Sequence, residues 1–164
     1  MERGGRRPRI AALVLGLAVT ALFPAAGCVD INGGAVEISW WVFTKDGHAI
    51  TDCACADPQI PYVRLNLVSD PGGDLEPCAG SDACRFSCHR KTGATPFVIP
   101  PGRYLMSLVA VGADGVDLPG VQSPSPQSRV VVSGQPTELE AYVLYANCAM
   151  RCNSSDITQP CSAE

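Results

Sequence analysis

At 164 residues and a formal charge of −4, the chain is long enough for one domain with a substantial core, and it lacks the basic excess that nucleic-acid binding requires. Four arginines and one glutamate fall in residues 1–27; without them, 8 basic and 15 acidic residues remain, a net charge of about −7. That balance also argues against electrostatic adhesion to anionic lipid.

The chain opens with a basic head, Arg3, Arg6, Arg7 and Arg9, and an apolar run over residues 10–23 broken only by Gly16 and Thr20. This is the pattern of a secretion signal. A transmembrane anchor competes with that reading, but a helix over residues 10–23 spans only about 21 Å, short of the roughly 30 Å of bilayer hydrocarbon. The run ends in Pro24-Ala25-Ala26-Gly27-Cys28, which resembles the lipobox of bacterial lipoproteins. The resemblance implies removal of residues 1–27 and attachment of a diacylglyceryl group to the sulfur of Cys28, and Val29 in place of Asp implies sorting to an outer membrane in a two-membrane cell. Two or three acyl chains at about 0.8 kcal/mol per buried methylene hold a protein far more firmly than one. Residues 28–34 form a short tether reaching about 20 Å, so the folded domain is expected to sit close to its membrane.

From residue 35 the pattern is one of short strands and turns. Val36, Ile38, Trp40 and Val42 alternate with Glu37, Ser39, Trp41 and Phe43, which predicts a strand with one apolar face and a second face that ends aromatic. Lys45-Asp46-Gly47-His48 predicts a turn. Val63, Leu65 and Leu67, alternating with Arg64 and Asn66, predict a half-buried strand. Phe97 and Ile99 lead through Pro100-Pro101-Gly102 into Tyr104, Met106, Leu108 and Ala110, a run apolar enough on both sides to be central in a sheet. Ala113-Asp114-Gly115 is a turn, and residues 119–128, with Pro124 and Pro126, form an extended polar loop. Residues 130–132 and then Leu139, Ala141 and Val143 predict a hairpin-like pair around Ser133-Gly134-Gln135-Pro136. Residues 69–95 and 147–164 are cysteine-rich, irregular and poor in apolar residues.

Short strands with turn signals about every ten residues predict an all-β fold, an antiparallel β-sandwich of transthyretin-like or immunoglobulin-like kind over residues 35–146, with disulfide-stapled loops and a stapled tail over residues 147–164. Residues 36–43, Cys55 before residues 63–67, Phe86-Ser87-Cys88, Ile99-Pro100-Pro101-Gly102-Arg103-Tyr104 and Asp114-Gly115 together resemble the carboxypeptidase-regulatory or transthyretin-like modules, and a group of bacterial lipoproteins that carry one. The resemblance implies a sharp turn at Pro101-Gly102 with burial of Tyr104, and a Cys55–Cys88 bond across the core.

Setting Cys28 aside leaves Cys53, Cys55, Cys78, Cys84, Cys88, Cys148, Cys152 and Cys161, an even set that in an exported chain reads as disulfides. Eight cysteines allow 105 pairings, and spacing alone does not choose among them. Cys53, Cys55, Cys84, Cys88 and His89 could instead ligate zinc, but their spacings do not match the common knuckles and an oxidising compartment consumes thiols. His48 and His89 are the two histidines, each beside turn or cysteine residues and without a nucleophile elbow, so no catalytic residue is expected. Glu138 and Glu140 fit a solvated sheet face better than a glycosidase pair. Asp70, Asp74, Asp82, Asp114 and Asp117 fit turns better than a calcium site. Trp40 and Trp41 must face opposite sides of a strand, which leaves Trp41 with Phe43 as a candidate contact for a glycan or protein, unless a loop or the tail covers them.

The function expected from the sequence is therefore a lipid-anchored cell-envelope lipoprotein, a non-catalytic binding or structural module without cofactor or metal. Its partners would be the membrane and an envelope protein or glycan. A metal-binding or hydrolytic envelope protein is the alternative.

Overall fold

The computed structural model describes residues 31–73, 75–149 and 152. The signal segment 1–27, Cys28, Val29, Asp74, Cys161 and most of the tail lie outside the described residues. What is described is all-β, its helical content limited to short 3-10 turns. The strands are β1 (Ala35–Phe43), β2 (Ala56–Asp57), β3 (Tyr62–Ser69), β4 (Arg85–Ser87), β5 (Thr92–Ala94), β6 (Gly102–Val111), β7 (Gln127–Val131), β8 (Pro136–Glu138), β9 (Tyr142–Tyr145) and β10 (Asn147–Cys148).

One sheet runs β4-β3-β6-β7 and is antiparallel throughout, with β3 and β6 paired along their whole shared length from Tyr62↔Val111 to Ser69↔Tyr104. A second sheet is built on β1, which takes β5 antiparallel on one side and β8, then β9, parallel on the other. The expectation of wholly antiparallel pairing thus fails at β1. The expected hairpin at Ser133-Gly134-Gln135-Pro136 fails as well: β7 stays with β6, whereas β8 leaves to join β1, so the turn carries the chain from one sheet to the other. Period-two alternation reports which face a strand buries, and here Val131 and Leu139 are both buried. It does not report which neighbour supplies the hydrogen bonds, and the longer strands β6 and β1 offer each segment a complete ladder. Gly134, at φ +71°, provides the left-handed bend that the crossing needs.

Both sheets contribute to one apolar cluster. Val36, Ile38, Trp40 and Val42 from β1, Val63, Leu65 and Leu67 from β3, Tyr104, Met106, Leu108 and Ala110 from β6, and Tyr142 and Leu144 from β9 are all buried in it. Full burial of a side chain of this size contributes roughly 1.5–3 kcal/mol, so the alternation legible in the sequence is also where the stability resides. Three polar side chains carried inward are paired. Trp40 Nε1 donates to the carbonyl of Cys88 at 3.1 Å, Thr95 Oγ1 accepts from the amide of Val36 at 2.9 Å, and the Tyr104 hydroxyl donates back to the carbonyl of Pro100 at 2.9 Å where β6 begins.

The Tyr142 hydroxyl donates to the carbonyl of Met106 at 2.7 Å, and burial pushes its pKa up to about 12 despite the opposing charge of Arg129. In the unfolded chain a tyrosine titrates near 10. Between these values the folded state keeps a proton that the unfolded state releases, so stability is expected to fall as pH rises through that window. Tyr142→Phe should flatten this alkaline slope while costing about 1–3 kcal/mol at neutral pH, because the Met106 carbonyl loses its donor. Urea midpoints followed from pH 8 to 12 in both proteins check this; parallel slopes would count against it.

Three disulfides join described residues: Cys53–Cys88, Cys55–Cys152 and Cys78–Cys84, with Cα separations of 6.0, 5.6 and 5.6 Å. Cys148 is also disulfide-bonded. The expected Cys55–Cys88 bond is corrected to Cys53–Cys88. Cys53 and Cys55 are the ends of a 3-10 turn capped by Asp52, whose carboxylate accepts from the amide of Ala54 at 2.9 Å. At three residues per turn, positions two apart point in different directions, so the two sulfurs reach different partners. The pairing continues past residue 146: β10 lies antiparallel to β2, and the amide of Ala149 donates to the carbonyl of Cys55 at 2.7 Å.

Candidate binding face

The outward side of β1 carries Glu37, Ser39, Trp41 and Phe43, the alternates of its core residues. Trp41 is 55 % exposed, and the parallel register with β9 sets Val143 beside it and Tyr145, itself exposed, beside Phe43. Successive same-face residues lie about 7 Å apart along a strand and about 5 Å apart across strands, so Trp41, Phe43 and Tyr145 form a small aromatic shelf. Tyr145 was not legible as a site residue. Its place depends on β9 pairing with β1, which no local pattern announces.

Next along the same face lies an open groove of about 530 Å³ of mixed lining, with Glu37, Ser39, Arg90, Thr92 and Glu138 beside the apolar Ile38, Ala94 and Leu139. Register explains the grouping, since Glu37 stands directly opposite both Ala94 of β5 and Glu138 of β8, and Ser39 stands opposite Thr92. Two carboxylates facing each other across adjacent strands repel. The guanidinium of Arg90 lines the same groove. The combination is a flat aromatic surface bordered by hydroxyls, carboxylates and one guanidinium, all of them hydrogen-bonding groups in water.

The remaining candidates have structural occupations. His89 Nδ1 lies 3.4 Å from the Asp52 carboxylate, the same group that caps the 3-10 turn, while His48 closes the turn after β1, where its amide donates to Thr44 Oγ1 at 3.0 Å. Lys91, at φ +57°, ends the turn after Cys88 and sets its ammonium 3.1 Å from Cys53 Sγ. Burial lowers its pKa, and the nearby Asp52 charge opposes that shift. Asp117 pairs with Arg64 at 2.6 Å, Asp82 with Arg85 at 3.1 Å and Glu140 with Arg129 at 3.0 Å. The Asp70 carboxylate accepts from Ser128 Oγ at 2.9 Å, and that of Asp114 from the amide of Val116 at 3.1 Å. Cys53, Cys55, Cys84 and Cys88 are spent in disulfides, which removes the thiolates a zinc site would use. Among the described residues no group of three His, Cys, Asp or Glu is placed to hold a metal ion.

No protein-family model matches the chain, nor does any curated protein or solved structure.

Proposed function

We propose that this chain is a lipid-anchored lipoprotein of the cell envelope, placed at an outer membrane, whose disulfide-stapled β-sandwich of transthyretin-like kind acts as a non-catalytic binding module for a glycan. The lipobox-like segment ending at Cys28 supports the anchor. Two sheets sharing one core, with Tyr104 buried where β6 opens, support the sandwich. Six cysteines joined in pairs, with Cys148 disulfide-bonded as well, support the staples.

The observation that carries the binding role is the outward Trp41 in one shelf with Phe43 and Tyr145, next to the groove. Aromatic rings stack on the C–H faces of sugars, and the hydroxyls, carboxylates and guanidinium of the groove suit sugar hydroxyls. The detergent-purified protein is expected to give signals on an array of neutral and N-acetylated hexose oligosaccharides. Trp41→Ala should weaken them at least tenfold, about 1.4 kcal/mol. Unchanged glycan signals in Trp41→Ala, or capture through Trp41 of a protein alone, would overturn the glycan reading.

A further inference from the structure

The point where the chain enters the domain is ringed by exposed apolar side chains. Ile31 is 49 % exposed, Phe97 42 %, Val98 60 % and Val132 46 %, and they come from three segments that the backbone ties together. Gly34 and Ile99 exchange hydrogen bonds of 2.8 and 3.1 Å, the amide of Gly134 donates to the carbonyl of Gly33 at 2.9 Å, and Ser133 Oγ donates to the carbonyl of Ile31 at 2.8 Å. The fit is close enough that a Cβ on Gly33 would meet the Phe97 carbonyl oxygen at 2.7 Å, and one on Gly34 the Val132 carbonyl oxygen at 2.6 Å. Ring and branched side chains are therefore held outward by a rigid base.

Charge sets this end apart. Residues 31–34, 95–101 and 132–135 contain no Asp, Glu, Lys, Arg or His, in a chain whose remainder is acidic. Its position adds a third argument: Ile31 is three residues from Cys28, a reach of about 10 Å. We propose that this uncharged apolar end rests in the headgroup boundary of the lipid bilayer that holds the Cys28 acyl chains, a proposal that depends on the lipoprotein reading above. An acidic surface gains nothing from anionic lipid, whereas an uncharged apolar rim at the anchor can bury itself at the interface and fix the domain's orientation. Trp41 lies six residues along β1 from Ala35, about 20 Å away, so this orientation holds the aromatic shelf clear of the membrane.

The test uses the acylated full-length mature protein reconstituted in phosphatidylethanolamine and phosphatidylglycerol vesicles with brominated acyl chains. A reporter tryptophan is introduced as Phe97→Trp or, at the far end of β6 roughly 34 Å away, as Val116→Trp. Both sites are exposed, so neither change disturbs the core. The expected result is flotation of both variants with the vesicles, with the added emission largely quenched and blue-shifted for Phe97→Trp and unaffected for Val116→Trp. Flotation with neither reporter quenched, or with both quenched alike, overturns the docked end and leaves the anchor standing. Failure of the proteins to float overturns the anchor, and the docked end with it.

Discussion

Replacing Cys55 and Cys152 together by alanine is expected to destabilise the protein by about 4–5 kcal/mol, the largest loss available from any single disulfide joining described residues. The bond closes a loop with a sequence separation of 97, against 35 for Cys53–Cys88 and 6 for Cys78–Cys84. In the chain-entropy account the restriction lifted from the unfolded state grows with the logarithm of that separation, which gives about 4 kcal/mol for Cys53–Cys88 and about 2 kcal/mol for Cys78–Cys84. Five of these six cysteines are almost wholly buried, so cavity costs are comparable and the ranking isolates the entropic contribution. Local structure amplifies the first loss, because the same bond holds the chain beyond β10 against Cys55. Urea midpoints of the three double-alanine proteins, without reductant, supply the comparison. A Cys78→Ala/Cys84→Ala protein as unstable as the Cys55→Ala/Cys152→Ala protein would sink the ordering.

The inner faces of β1, β3 and β6 were legible because each buries one side and so must alternate: every one of Val36, Ile38, Trp40, Val63, Leu65, Leu67, Met106 and Leu108 is buried. Tyr104 is buried too, as its place in the β6 alternation and the resemblance to transthyretin-like modules imply. What alternation does not encode is the identity of the neighbour. That is why Val131 and Leu139 suggest a hairpin and instead join separate sheets, and why no local pattern announces the parallel contact of β9 with β1. The same gap applied to sulfur. Eight cysteines were visible, but only the turn geometry at Asp52 sends Cys53 and Cys55 to different partners. At the binding face the sequence offered Trp41 and Phe43; the third ring, Tyr145, and the groove residues Arg90, Thr92 and Glu138 arrive from segments more than 45 residues away along the chain.

Trp40→Ala and Trp41→Ala, adjacent changes of identical chemistry, are expected to have opposite consequences. Trp40 is fully buried, its indole N–H satisfies the Cys88 carbonyl, and its ring lies 6.3 Å from that of Phe86. Phe86 in turn packs so tightly on Gly93 that a Cβ there would meet the ring at 2.6 Å, so it has little freedom to fill the space that Trp40 leaves. A large-to-small change where the surroundings cannot collapse costs about 3–5 kcal/mol, and the orphaned Cys88 carbonyl adds to it. Trp40→Phe should fall between, keeping most of the volume and losing the donor. Trp41→Ala removes a ring that is mostly in water and should change stability by less than about 0.5 kcal/mol. Urea midpoints of the three variants decide the matter. If Trp41→Ala proves as destabilising as Trp40→Ala, its ring is a structural one and the outward shelf loses its standing as a recognition surface. If only Trp40→Ala destabilises, the loss of glycan signal in Trp41→Ala reads directly as a lost contact, because the fold beneath it is intact.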